Sequence, residues 1–79
     1  MKYIVSEDIE QLKAINNKIT LGMKQNDESF NAESYSEILQ GESSYALPLD
    51  ESDLRNPLQF LSEQEISLMA DYFEVNNGN

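Results

Sequence analysis

Apolar residues recur along this chain with two different periods. Ile9, Leu12, Ile15, Ile19 and Met23 follow one another at steps of three, three, four and four. At 100° per residue they share a stripe about 120° wide, which predicts an amphipathic helix over 7–24. Glu7, Asp8 and Glu10 sit in its first turns and Lys18 and Lys24 near its end, the placement a helix dipole favours. Gly22 and the polar run Gln25-Asn26-Asp27 mark its stop.

The second period is two. Tyr45, Leu47 and Leu49 alternate with Ser44, Ala46 and Pro48, which reads as a strand over 44–49. Pro48 has no amide hydrogen, so this strand should lie at a sheet edge or be half paired. Tyr3 to Val5, a β-branched and aromatic run ending at Ser6, predicts the partner strand over 2–5.

Two further helices are expected. One runs over 32–40, capped by Asn31 and closed by Gly41, with Tyr35, Ile38 and Leu39 as its apolar stripe. The other runs over 63–75 and opens on the Ser62/Glu65 capping box, with Leu61 and Ile66 at the flanking staple positions. Residues 50–57 read as a loop, with Asn56-Pro57 as a turn signal. The fold class is therefore α+β, mainly helical: three helices (7–24, 32–40, 63–75) and a minimal two-stranded pairing of 2–5 with 44–49. An all-α three-helix arrangement is the alternative if Pro48 prevents the pairing. Residues 1–75 make one small acidic domain, and 76–79 are expected to fray.

Composition narrows the picture. Leu, Ile, Val and Phe number 20 of 79 residues, enough for a folded core but a small one, which dimerisation or docking would supplement. The chain has no Cys and no His, so disulfides, thiolate metal sites and the commonest general base are all missing. An enzyme is not expected, and no catalytic residues are assigned. Calcium-loop geometry fails from Asp50, where Leu54 and Arg55 stand in place of an oxygen ligand and Gly. From Asp27 it fails at Ala32. No metal and no cofactor are expected, since phosphate-loop motifs also need closely spaced glycines. The apolar run at the N-terminus is three residues long and no stretch approaches a membrane span. A cytoplasmic location is the expectation.

Charge changes the picture most. The formal net charge is −10, and beyond Lys24 a single cation, Arg55, faces twelve acids. Such a field repels nucleic acid and anionic bilayers and attracts basic surfaces. Direct nucleic-acid binding is therefore not expected, nor is a membrane partner. On the predicted helices, Glu33 and Glu37 pair on one side of the second, while Glu63, Asp71 and Glu74 share a flank of the third. Asp50, Glu51 and Asp53 form an acidic loop between them. Neighbours three or four apart on a helix lie about 5–6 Å from each other, so these eight acids can imitate a track of phosphates if the fold brings the loop alongside the helix flanks; scattered, they are an ordinary solvated surface. In size and charge the chain resembles small acidic inhibitors of nucleic-acid enzymes, such as anti-restriction and anti-CRISPR proteins. That likeness is one of composition, with no motif behind it.

The last predicted helix also carries a second apolar line, Leu68, Tyr72 and Val75, beside its core stripe of Ile66, Met69, Ala70 and Phe73. Two expectations follow. The first is a non-catalytic acidic protein that engages a basic protein surface, blocking a nucleic-acid-binding site. The alternative is a small structural or assembly adaptor, of the kind phages use, held through Leu68, Tyr72 and Val75, or a homodimer built on the same line.

Overall fold

The computed structural model describes residues 1–76. Its first strand, β1 (Lys2–Ser6), runs into α1 (Ile9–Asn26). The Asp8 carboxylate caps α1 by accepting the Glu10 amide at 3.0 Å, and the Asp27 amide closes it on the Met23 carbonyl at 2.9 Å. The predicted stripe, apart from the partly exposed Ile9, is in the core. Leu12, Ile15, Ile19 and Met23 are buried against Ile4, Leu47 and Leu49 of the sheet. Each such side chain taken fully from water stabilises the fold by about 1.5–3 kcal/mol.

The pairing of 2–5 with 44–49 is present as β1 against β3 (Tyr45–Leu49), antiparallel, with Ile4 opposite Leu47 and Tyr3 opposite Pro48. The sheet is larger than expected. Two strands of two residues each, β2 (Leu39–Gln40) and β4 (Met69–Ala70), extend it to four antiparallel strands in the order β2-β3-β1-β4. β2 pairs only with Tyr45 and Ala46, so Pro48 has a neighbouring strand, β1, on one side alone, a position that suits its missing amide hydrogen.

The helix expected over 32–40 does not form. A nine-residue helix is marginal by itself, and α1 holds this backbone in another shape. Asn16 grips the Ser36 peptide from both ends, donating to its carbonyl at 2.8 Å and accepting from its amide at 3.3 Å. The buried Thr20 hydroxyl accepts the Tyr35 amide at 2.9 Å. Leu39 and Gln40 then pair with β3. The expected loop over 50–57 is wound into a 3-10 turn, 51–53, and a short helix, α2 (Arg55–Leu58).

The helix expected over 63–75 starts where its capping box places it but ends after four residues, as α3 (Glu63–Ile66). The Ser67 hydroxyl turns back onto the Gln64 carbonyl at 2.6 Å, and the Val5 amide takes the Leu68 carbonyl at 3.1 Å. The open edge of β1 thus captures the chain as β4. Its continuation, 71–76, returns across the sheet face opposite α1. There the Phe73 ring lies 6.0 Å from that of Tyr3 and closes on Gly41, and the Asn76 amide donates to the Gln40 carbonyl at 2.8 Å. Asn76, the first residue of the predicted frayed tail, is thereby tied to β2; 77–79 lie outside the described residues.

Candidate partner-binding groove

A groove of about 530 Å³ opens where the end of α1, the chain 27–36, the end of β3 and the start of α2 converge. Its floor is apolar and aromatic: Met23, Phe30, Tyr35, Pro48, Leu49 and Pro57. Asp27, Asp50 and Asp53 also line it, with Met1, Ser36 and Asn56.

Local sequence explains the placement of two of these acids. Asp-Glu-Ser occurs at 27–29 and again at 50–52, and each copy folds into the same tight turn. Oδ1 of Asp27 accepts the Ser29 amide at 2.9 Å and the Ser29 hydroxyl at 2.6 Å. Oδ1 of Asp50 accepts the Ser52 amide at 3.0 Å and the Ser52 hydroxyl at 2.6 Å. These hydrogen bonds, the hydroxyl first, hold both carboxyls below the usual aspartate range, so both are charged at neutral pH.

Tyr35 joins the two sides. Its amide is bound by Thr20 of α1, and its phenol oxygen accepts the Asp50 amide at 2.9 Å. Burial pushes the phenol pKa up, against the opposing effect of that amide. The phenol is therefore neutral and keeps its proton, which no acceptor takes among the described residues.

The eight predicted acids do not merge into one face. Asp50 and Asp53 line the groove; Glu51, beside them, pairs instead with the Met1 amino group at 2.8 Å. Glu33 and Glu37 are exposed on the segment that carries Tyr35 and Ser36. The flank expected to join Glu63, Asp71 and Glu74 required a helix through 75. Instead Glu63 opens α3, and Asp71 pairs with Lys2, whose hydrogen bond and charge lower its carboxyl pKa. Glu74 stands exposed on the returning segment. The apolar line is divided in the same way. Leu68 is half-buried against the core, while Tyr72 and Val75 remain 74% and 41% exposed. Asp27 was not among the predicted site residues, although the repeated Asp-Glu-Ser tripeptide marks it.

Among the described residues no group of three or more acids is arranged to hold a metal ion, and no helix is long and apolar enough to cross a membrane. Comparison with family models, curated proteins and solved structures finds no match to this chain.

Proposed function

We propose that this protein is a non-catalytic binder of basic protein surfaces, acting in the cytoplasm and occupying the face that another protein uses for nucleic acid. The observation that carries this reading is the convergence of Asp27, Asp50 and Asp53 on one apolar groove, in a chain of net charge −10. Fixed carboxylates beside apolar surface favour a cationic partner that also buries hydrocarbon. The remaining acids supply the long-range field that draws such a partner in.

The test is a pull-down from the native host at low salt, followed by titration of the captured protein against wild type and against a D27K/D50K/D53K variant. The reversals should weaken binding by at least about tenfold and flatten its salt dependence. An E33K/E37K/E63K control should lose much less. Equal affinity of the triple groove variant and wild type overturns the reading.

An assembly role is the second reading, favoured by the exposed side chains of Tyr72 and Val75. It requires a dimer or hetero-complex that survives high salt, because apolar association is not screened. Light scattering at two salt concentrations decides it, with Tyr72→Glu as the variant that should dissociate the complex.

A further inference from the structure

Resting on the reading that the partner is basic, we infer that the groove receives an arginine side chain of that partner, together with an apolar neighbour in an extended segment. Three features of the groove select this occupant. First, its cavity of about 530 Å³ is of the size that holds drug-sized ligands, which exceeds one side chain and suits a short segment. Second, the aromatic residues Phe30 and Tyr35 line the groove together with Met23 and Leu49. A guanidinium stacks on aromatic faces and is weakly hydrated, and its methylene stem lies along apolar surface. A lysine ammonium is a compact, strongly hydrated charge and loses more on entering such a site.

Third, the acceptors are spread for a multi-donor group. In both tight turns the serine occupies Oδ1 only, which leaves the second oxygen of Asp27 and of Asp50 without a partner among the described residues. The Asp53 carboxylate is likewise unpaired among them. Five guanidinium donors match several carboxylate oxygens where three ammonium donors on a point charge do not. Charge complementarity thus calls for a cation, and the aromatic lining and spread acceptors commit the groove to arginine.

The probes are three capped peptides, Ac-Gly-Arg-Leu-Gly-NH2, its lysine analogue and its citrulline analogue, titrated into the ¹⁵N-labelled full chain. Saturable amide shifts are expected at Asp27–Phe30, Tyr35, Ser36 and Leu49–Asp53. Arginine should bind at least about threefold tighter than lysine, and citrulline at least about tenfold weaker. Asp53→Asn and Phe30→Ala should each weaken arginine binding at least about threefold, with the rest of the amide spectrum unchanged as proof of folding.

Equal binding of arginine and lysine overturns the inference. So do shifts spread over Glu63 and Glu74 without saturation, although the basic-partner reading then survives. Free arginine amide binding as tightly as the peptide reassigns the groove to a small molecule. Failure of the chain to bind even protamine at low salt overturns the parent reading as well.

Discussion

Gly22 lies within α1, where alanine is the better helix former by about 1 kcal/mol, yet Gly22→Ala should destabilise the protein. A β-carbon at this position would stand 2.5 Å from two carbons of the Phe60 ring and 2.6 Å from a third. Ordinary carbon contacts lie at about 3.5–4.0 Å, so the ring and the helix would have to part by roughly 1 Å. Overpacking of this kind costs about 1–3 kcal/mol. Offset by the helix-propensity gain, the net loss is about 1 kcal/mol, or about 4–8 °C in Tm for a domain of this size. Thermal and urea unfolding followed by circular dichroism would measure it in wild type, G22A, F60L and the double variant. With the ring gone, the added methyl should no longer clash and G22A should become neutral or stabilising. The expected coupling is about 1–3 kcal/mol, against the roughly 0.3–0.5 kcal/mol within which independent sites add. A coupling below about 0.5 kcal/mol, or a G22A protein more stable than wild type, would falsify the close approach of Phe60 to α1. The contact also adjoins the groove, since Asn56 and Pro57, just before Phe60, and Met23, next to Gly22, line it.

Ser62→Ala removes half of the capping box and leaves the Glu65 amide without its side-chain acceptor, while the Glu65 carboxylate keeps the residue-62 amide and Lys18; unfolding free energy should fall by about 1 kcal/mol in urea melts. Tyr35→Phe leaves the Asp50 amide without its acceptor and should cost about 0.5–1.5 kcal/mol in the same assay, with faster hydrogen exchange at Asp50. Phe73→Ala should expose the sheet face opposite α1 and accelerate exchange of the Asn76 amide, at a cost of about 1–3 kcal/mol for a half-buried ring; unchanged exchange would show that 71–76 is not held by this side chain. Asp27, Asp50, Asp71 and Glu65 all have folded pKa values below their usual ones. For Glu65, burial acts upward but is outweighed by Lys18 and Ser62. Their contribution is thus present above about pH 4 and is lost as pH falls through the folded values. Tyr35, shifted upward, contributes below about pH 10 and loses that contribution as pH rises through its folded value. Carbon-detected NMR titration of Asp27 and Asp50 tests the acid limb, and midpoints at or above the ordinary aspartate value would refute it.

How far the fold was legible depended on whether the deciding contacts were local. α1 declared itself because five apolar residues repeat over fifteen positions and the acids and lysines at its ends agree with them. The β1–β3 pair declared itself through alternation over five residues. β2 and β4 are two residues long, and no periodicity can show in two residues. They exist because β1 and β3 offer unpaired backbone groups, a property of the assembled sheet. The stretch 32–40 has apolar residues at helical spacing, and what overrides it comes from Asn16 and Thr20, fifteen to twenty residues upstream. Likewise the capping box at Ser62 fixed the start of α3 correctly, but neither Gly nor Pro marks its end at Ile66. The end is set by β1.

The candidate site was legible in its chemistry and not in its membership. Counting acids identified an anionic chain, but three of the eight, Glu63, Asp71 and Glu74, were grouped on the assumption of a helix that stops at Ile66. Asp27 lines the groove with Asp50, and its Ser29 turn is the counterpart of the Ser52 turn there. The two groups of acids should therefore act at different stages of binding. Field from dispersed carboxylates extends over a Debye length, about 8 Å at physiological salt, so on the proposed reading Glu33, Glu37, Glu63 and Glu74 should govern encounter. Asp27, Asp50 and Asp53 line the groove and should govern release. Neutralising the first set should lower the association rate and its salt dependence while leaving dissociation nearly unchanged; neutralising the second should mainly speed dissociation. Surface plasmon resonance with the captured partner separates the two rates, and equal effects of both sets on dissociation would mean that the groove has no special part in the contact.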